Sequence, residues 1–379
     1  MRIWVDFSDI VNWPLKHLTG IQRVVIHVGI SLKKLHPDVN FFTFNPTSKE
    51  FHEIDPSTVE KALDCEMSHI KILERVANFA PEDVLYLLGG TWVHTEFIQE
   101  IKKLKNEIQF KIAHFIHDVT CIKVPHVHRD KSKEIMENWI KGVYEVTDYF
   151  LTNSQFSKEE ILSVFKSYGY LPKEFIVARL GDDITKLVEQ TYVPEKFKEF
   201  CLDPFILCVG SFEPRKNHLL LYQTWRLLFE KYQNNTPKLI IVGSKGWLTD
   251  DFKSLILRDP ILKDKIFWIQ NVLEDELKWL YQNCLFTVYP SYYEGWGLPV
   301  AESLAHGKFC IASSAASIPE ISGDLIDYFN PYDSRECFKK IEKAYFDETY
   351  LKSREKLVIE KFKTTEWINT AKQCLQPIT

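Results

Sequence analysis

Short apolar runs alternate with helical stretches along this chain, and the alternation runs twice. A strand followed by an amphipathic helix cannot bury its apolar surface alone. Laid side by side, such units form a parallel sheet with helices on both faces. In the first half, 2–7, 84–88, 109–116 and 149–152 read as strands, and 21–35, 131–145 and 158–167 as helices; 175–180 closes the half. Charged, mixed residues at 184–203 interrupt the pattern. It restarts with strands at 205–209, 238–242, 266–269, 285–289 and 309–312, separated by helices near 217–232, 251–258, 274–283 and 299–306. The tail, 334–376, reads as helical throughout. A chain of 379 residues also exceeds what one hydrophobic core ordinarily serves. The fold class is therefore α/β: a doubly wound parallel-sheet domain over 1–183, a linker at 184–203 and a second such domain over 204–361.

Composition narrows the function. Hydrophobic residues at 45% and charged residues at 26% are those of a globular protein. A net charge of −5 supplies no basic field for nucleic acid. The eight cysteines include no CxxC pair, and several sit in apolar runs such as the one around Cys208. They read as reduced, buried side chains of a cytoplasmic protein. Asp6 and Asp9 interrupt any leader-like stretch, and no run approaches the roughly 18–20 apolar residues of a membrane span. Peripheral contact at the inner membrane face stays open.

In open α/β sheets, ligands bind beyond the carboxyl ends of the strands. The residues that carry chemistry here lie there. Glu294-Gly295-Trp296-Gly297-Leu298-Pro299-Val300-Ala301-Glu302 follows one strand and opens a helix. Pro299 suits a first helical turn, where its missing N–H costs nothing. Gly295 and Gly297 admit a close ligand. The N–H groups of Leu298 and Val300, with the helix dipole, form an anion site for a diphosphate. Glu302, read as a first-turn residue, is placed to accept from ribose hydroxyls, and Glu294 to reach a sugar. The bland alternative is a solvated loop glutamate and a dipole-complementing one.

A second loop, Gly210-Ser211-Phe212-Glu213-Pro214-Arg215-Lys216-Asn217-His218, follows the strand at 205–209. Arg215 and Lys216 are adjacent cations that can stabilise the charge of a departing nucleoside diphosphate, a contribution of about a hundred- to thousandfold in rate per group. An exposed charged turn is the competing reading. The chain has no Asp-x-Asp, through which enzymes that hold a sugar nucleotide with magnesium often bind the metal, so cationic side chains can take the metal's place and no metal or other cofactor is expected. There is no GxxxxGK[ST] and no GxGxxG after the first strand, which weakens ATPase and dehydrogenase readings. Gln270-Asn271-Val272 follows another strand, where the backbone of Val272 can pair with a nucleobase edge.

In the first half, Thr19-Gly20-Ile21-Gln22-Arg23 opens a helix, with Gly20 allowing close approach of a phosphate and Arg23 one turn in. His117-Asp118 ends a strand, where His117 can bond a sugar hydroxyl or the acceptor. Asn153-Ser154 and Gly181-Asp182-Asp183 also follow strands. Lys123, His126, His128, Arg129, Lys131 and Lys133 read as a solvated loop, with anionic lipid or a pyrophosphate-linked acceptor as the alternative partner.

Gly-x-x-x-x-Arg-Lys-Asn, then Glu-x7-Glu followed by Ser-Leu-Ala-x-Gly, resembles the retaining GT-B glycosyltransferases of family four. Thr-Gly-Ile-x-Arg and His-Asp are similar to bacterial members that build exopolysaccharides and O-antigens. The likeness spans nearly the whole chain and is strongest over 205–323. It implies two Rossmann-like domains, an interdomain cleft and a C-terminal helix, 362–379, crossing back to the first, acceptor-side domain. It implies that Arg215 and Lys216 bind diphosphate, Glu302 ribose and Glu294 the donor sugar, with His117 near that sugar. The chain departs from the family at Leu180-Gly181-Asp182-Asp183, where Asn-Gly-Val-Asp is common. The implied activity is metal-independent, configuration-retaining hexosyl transfer in polysaccharide biosynthesis. UDP-glucose is the first expectation for the donor and GDP-mannose the second, with a glycan or lipid-linked oligosaccharide as acceptor. A nucleotide-sugar epimerase or hydrolase on the same fold, or a silent sugar-nucleotide-binding scaffold, are the alternatives.

Overall fold

The computed structural model describes residues 1–13, 18–64, 66–182, 193–198 and 203–378. Most of the predicted linker, together with Asp183, Cys65 and Cys201, lies outside the described residues. The chain forms two compact units: residues 1–123, 130–181 and 365–379, and residues 124–129 and 182–364.

The first unit holds eight strands: β1 Ile3–Asp6, β2 Asn40–Asn45, β3 Glu50–Ile54, β4 Ile72–Val76, β5 Val84–Leu87, β6 Lys111–Phe115, β7 Tyr149–Thr152 and β8 Phe175–Val177. Their order is β4-β3-β2-β1-β5-β6-β7-β8. The sheet is parallel from β2 through β8, but β3 pairs antiparallel with β2 and with β4. The antiparallel pairs extend one edge of the expected parallel sheet. β2, β3, β4 and the helix Phe97–Ile108 were not expected. In β2 both faces are largely buried, so Asn-Phe-Phe-Thr-Phe-Asn shows no alternation. In β4, Ile72 and Val76 are exposed, which inverts the usual signal.

The β2–β3 pair delivers Phe42, Phe44 and Phe51 to a core shared with Trp4, Phe79, Phe97 and Phe110. Each fully buried ring of this size contributes about 1.5–3 kcal/mol of transfer free energy. Edge-to-face contacts such as Trp4–Phe79, with centroids 5.1 Å apart, order the cluster further.

The second unit holds β9 Phe205–Val209, β10 Lys238–Val242, β11 Ile266–Ile269, β12 Thr287–Tyr289, β13 Cys310–Ser313 and β14 Asp327–Phe329. All are parallel, in the order β11-β10-β9-β12-β13-β14. This is the doubly wound order in which the chain runs outward one way from the first strand and then returns to run the other way. The switch point falls between β9 and β12. Gly243, at the end of β10, has to be glycine: an added Cβ would lie 2.0 Å from the Gly210 carbonyl oxygen. The loops leaving β9 and β10 can therefore pair, Phe212 N–H donating to Ser244 O at 2.8 Å.

Instead of one continuous helical tail, three helices follow: Ser334–Phe346, Glu348–Lys361 and Trp367–Leu375. Asp347 breaks the first two by capping the second through its side chain. The last helix belongs to the first unit. Trp367 stacks on His27 with centroids 4.8 Å apart, and an added Cβ on Gly181 would fall 2.4 Å from its ring. Burial pushes His27 down to about 3, so the stack joins two neutral rings. Thr370 donates to Arg179 O at 2.7 Å and Tyr86 to Cys374 O at 3.1 Å. Cys208, Cys284, Cys310, Cys337 and Cys374 are buried free thiols, and Cys121 is half-buried.

Trp367→Ala removes a buried indole from this seam and should destabilise the protein by about 3–5 kcal/mol. Chemical denaturation followed by circular dichroism checks this. An unchanged midpoint would mean that the terminal helix is not part of the first unit's cooperative core.

Candidate functional site

The loops leaving β9 and β12 are neighbours because their strands pair at the switch point. After β9 the chain makes a 3-10 turn, Pro214–Lys216. Asn217 ends it in the left-handed region, φ 57°. Its amide donates to the carbonyls of Pro290 at 3.0 Å and Pro331 at 2.8 Å. Tyr292 N–H donates to Arg215 O at 2.9 Å, so backbone holds the two loops together. The β12 loop is fixed from the other side by Ser317, whose hydroxyl lies 2.9 Å from the carbonyls of both Glu294 and Trp296.

Within this frame four charged side chains meet. Arg215 Nη1 donates to Glu294 Oε2 at 2.7 Å and to Tyr293 O at 2.9 Å. Its Nη2 donates to Glu213 Oε1 at 2.6 Å. Lys216 Nζ donates to Glu294 Oε1 at 2.8 Å and to the Tyr289 hydroxyl at 2.8 Å. The side chains are only 14% (Arg215), 11% (Lys216), 8% (Glu294) and 3% (Glu213) exposed. Burial alone would raise the Glu294 carboxyl, but Arg215 and Lys216 outweigh it and hold it at about 2. The carboxylate is thus ionised at any ordinary pH.

This arrangement adds to the sequence reading in one respect. Arg215 and Lys216 were expected to face a diphosphate and Glu294 a sugar, as separate roles. The structure gives both cations the same partner, Glu294, because the loops that carry them lie side by side. Glu213, Tyr289, Asn217 and Ser317 had no predicted role. Glu213 and Asn217 stand in the quoted motif, but nothing local says which atom a side chain will meet across the sheet.

Gly297 precedes the helix Leu298–Ala305 at φ 121°, a conformation that glycine alone adopts readily. Gly295 is buried in the same loop, while Gly210 and Ser211 are half-buried at the exit of β9. Pro299 lies in the first turn, as expected. Two details differ. Val300 N–H donates to Gly297 O at 2.9 Å, so it is engaged by the helix's own first turn and does not face outward. The anion-directed end reduces to Leu298, whose N–H has no acceptor within the helix. Glu302 is the fifth helical residue, one residue further in than expected, because the helix begins at Leu298. It is buried, and Oε2 accepts from the Tyr281 hydroxyl at 2.9 Å.

Val272 follows β11, two strands from β9, and packs on the second unit's core. Asn271 before it takes φ 53°, and its carbonyl accepts from Lys196 at 2.6 Å. Two strand spacings put Val272 about 10 Å from the switch point.

In the first unit, His117 follows β6 and is buried. Its Nε2–H donates to Leu88 O at 2.8 Å, which leaves Nδ1 as the acceptor of a neutral ring. Burial lowers its pKa, opposed by the Leu88 contact and by Asp118 and Asp9. Asp9, which the sequence reading did not single out, accepts from Gln22 Nε2 at 2.8 Å and Gly90 N–H at 3.3 Å. Gly20 is exposed at the start of the helix Gly20–Leu35, and Arg23 lies half-buried one turn on. Gln22 is the member of that motif whose side chain turns to Asp9. These groups follow the carboxyl ends of β1, β5 and β6, and the paired strands β1 and β5 mark the switch point of the first sheet.

The basic cluster at 123–133 is not a single patch. Lys123 pairs with Glu160 at 3.1 Å and Lys133 with Glu137 at 3.8 Å. Arg129 lies over the Trp247 ring and His128 stacks on it, while Trp247 Nε1 donates to Val127 O.

Residues 191–363 match the family described as Glycosyl transferases group 1. The chain is 28% identical over 270 residues to O-antigen chain mannosyltransferase B of Escherichia coli, covering 68% of each protein. It is 23% identical over 315 residues to the serotype-specific mannosyltransferase WbdA of Escherichia coli, a match that takes 80% of this chain and only 37% of that one. Among solved structures, HepE of Anabaena in complex with UDP-glucose superposes with a TM-score of 0.68 at 13% identity, covering 100% of this chain and 99% of HepE. At that identity the likeness is one of fold. Two doubly wound units, the match of residues 191–363 to the group 1 family and these relatives together mark the chain as a glycosyltransferase on the GT-B fold.

Proposed function

We propose that the protein transfers mannose from GDP-mannose to a glycan or lipid-linked oligosaccharide in surface-polysaccharide synthesis, with retention of anomeric configuration and without a metal ion. The convergence of Arg215 and Lys216 on Glu294 at the switch point carries this reading. The mannose donor, the second expectation from the sequence, is supported by the names of the curated relatives. UDP-glucose, the first expectation, has only the distant HepE complex behind it.

In the proposed cycle the donor diphosphate takes Arg215 and Lys216 from Glu294, with the Leu298 end of the helix as a further donor. Glu294, released, accepts from hydroxyls of the donor sugar. Glu302 holds ribose, exchanging its bond to Tyr281, and the Val272 backbone meets the base. A nucleoside diphosphate bridges the roughly 10 Å between those points. The C1–O bond to phosphate breaks with its electron pair on the departing oxygen. The acceptor oxygen bonds to C1 on the same face, and its proton passes to that phosphate oxygen. Charge developing on the leaving group is stabilised by two fixed cations in a dry site. The first unit is the acceptor-binding one in this reading, with His117 Nδ1 accepting from an acceptor hydroxyl and Gly20 and Arg23 binding an anionic group of the acceptor. Among the described residues no helix is long and apolar enough to cross a membrane.

Arg215→Ala should slow transfer about a hundred- to thousandfold while circular dichroism stays that of a folded protein. Turnover within threefold of wild type would sink the donor-site assignment. Excess EDTA should leave the initial rate unchanged, and a loss that magnesium restores would put a metal back into the mechanism. In a thermal-shift series, GDP should raise the melting temperature more than UDP or ADP. At a hundredfold excess over Kd the stabilisation is about 2.7 kcal/mol. A larger shift with UDP would reassign the donor.

A further inference from the structure

We infer that Glu213 is a positioning residue of the donor site, holding the Arg215 guanidinium in place when Glu294 leaves it for the donor sugar; this rests on the donor-site reading above. In the structure Arg215 is claimed from two sides. Nη1 serves Glu294 and the Tyr293 carbonyl, while Nη2 serves Glu213. Lys216 is likewise divided between Glu294 and the Tyr289 hydroxyl. Each cation therefore has an anchor other than Glu294. Once Glu294 turns to sugar hydroxyls, Lys216 keeps Tyr289, and Arg215 keeps Glu213 and one carbonyl.

Glu213 is built to serve as a fixed point. Its neighbour Phe212 is fully buried, with its ring stacked on Trp268 at 4.1 Å and on His218 at 4.8 Å. Backbone bonds pin the segment on both sides: Phe212 N–H to Ser244 O at 2.8 Å, Gly246 N–H to Phe212 O at 2.9 Å, and Lys216 N–H to Glu213 O at 3.1 Å. The Glu213 side chain is 3% exposed.

Its charge is the telling feature. Burying a carboxylate is costly, and placing one beside cations that must bind a diphosphate lowers the potential that attracts it. A site that only concentrated anions would carry a neutral side chain here. What the carboxylate supplies is direction: a charge-assisted bond on Nη2 that orients the planar guanidinium and leaves Nη1 for the phosphate oxygens.

The test compares Glu213→Ala and Glu213→Gln with wild type in steady-state transfer from the sugar nucleotide. Each variant is assayed well below its melting temperature, with the folded fraction read by circular dichroism. Misplacement of a charged group by about 1 Å costs on the order of a hundredfold. kcat of Glu213→Ala should fall by about that factor, with a smaller change in KM. Glu213→Gln should lose less, because its amide oxygen still accepts one N–H. The same Glu213→Ala change is then made on an Arg215→Lys background, where no guanidinium remains to be oriented. There it should alter kcat less than about threefold, the non-additivity expected of residues acting through one contact. Wild-type kcat in Glu213→Ala overturns the inference, as does an equal loss on both backgrounds, which is the mark of a merely structural residue. If Arg215→Lys itself transfers at the wild-type rate, the donor-site reading fails instead.

Discussion

One carboxylate, Glu294, bridges two cations, with Glu213 as the second counter-charge, and the geometry of the second unit is arranged around that contact. Arg215 and Lys216 are next to each other in the chain, so their repulsion inside a dry site needs a counter-charge within hydrogen-bond distance. It arrives on the loop of another strand, 78 and 79 residues away in sequence. That approach requires β9 and β12 to pair, glycine at 243 so that the β10 exit fits beside Gly210, and Gly297 in its left-handed conformation to turn the chain into the next helix. Removing one member of such a buried set leaves a charge without compensation, which typically costs about 3–5 kcal/mol. The site thus belongs to the folded state as much as to the chemistry.

A resting site whose cations are already paired is preorganised but not vacant to anions. In the donor site proposed above, binding a diphosphate would be an exchange of one anion for another, in which the donor sugar would receive the carboxylate that the phosphates displace. Such an exchange favours a ligand that carries both parts. A free inorganic anion would have to leave Glu294 buried and unpaired, whereas a nucleotide sugar offers it hydroxyl groups. The switch point of the first unit follows a similar logic with fewer charges: Asp9, Gln22 and His117 are each tied to the Leu88–Gly90 segment or to one another.

How much was legible in the sequence depended on the range of the interaction concerned. β9, β10 and β11 and the helix Glu274–Asn283 begin and end where hydrophobic patterning places them, because each is an apolar run or stripe bounded by polar residues. β2, β3 and β4 escaped notice because an antiparallel extension at a sheet edge carries a different pattern. β2 is buried on both faces, and β4 turns Ile72 and Val76 outward. Glu302 was placed one residue too early in its helix because the helix starts at Leu298, ahead of Pro299, and the residue that meets its carboxylate, Tyr281, comes from a separate helix.

The amino-acid sequence by itself determined the two α/β units and the strand-end loops in which the chemistry sits. Periodicity, glycine and proline placement and adjacent charges are local properties that survive without coordinates. Tertiary structure alone decided the partnerships: which carboxylate meets which cation, that Val300 N–H is consumed by its own helix, and that the terminal helix packs on the first unit through Trp367. Coulomb and hydrogen-bond energies depend on separations of a few ångströms. Those separations are set by sheet order, which brings residues far apart along the chain into contact.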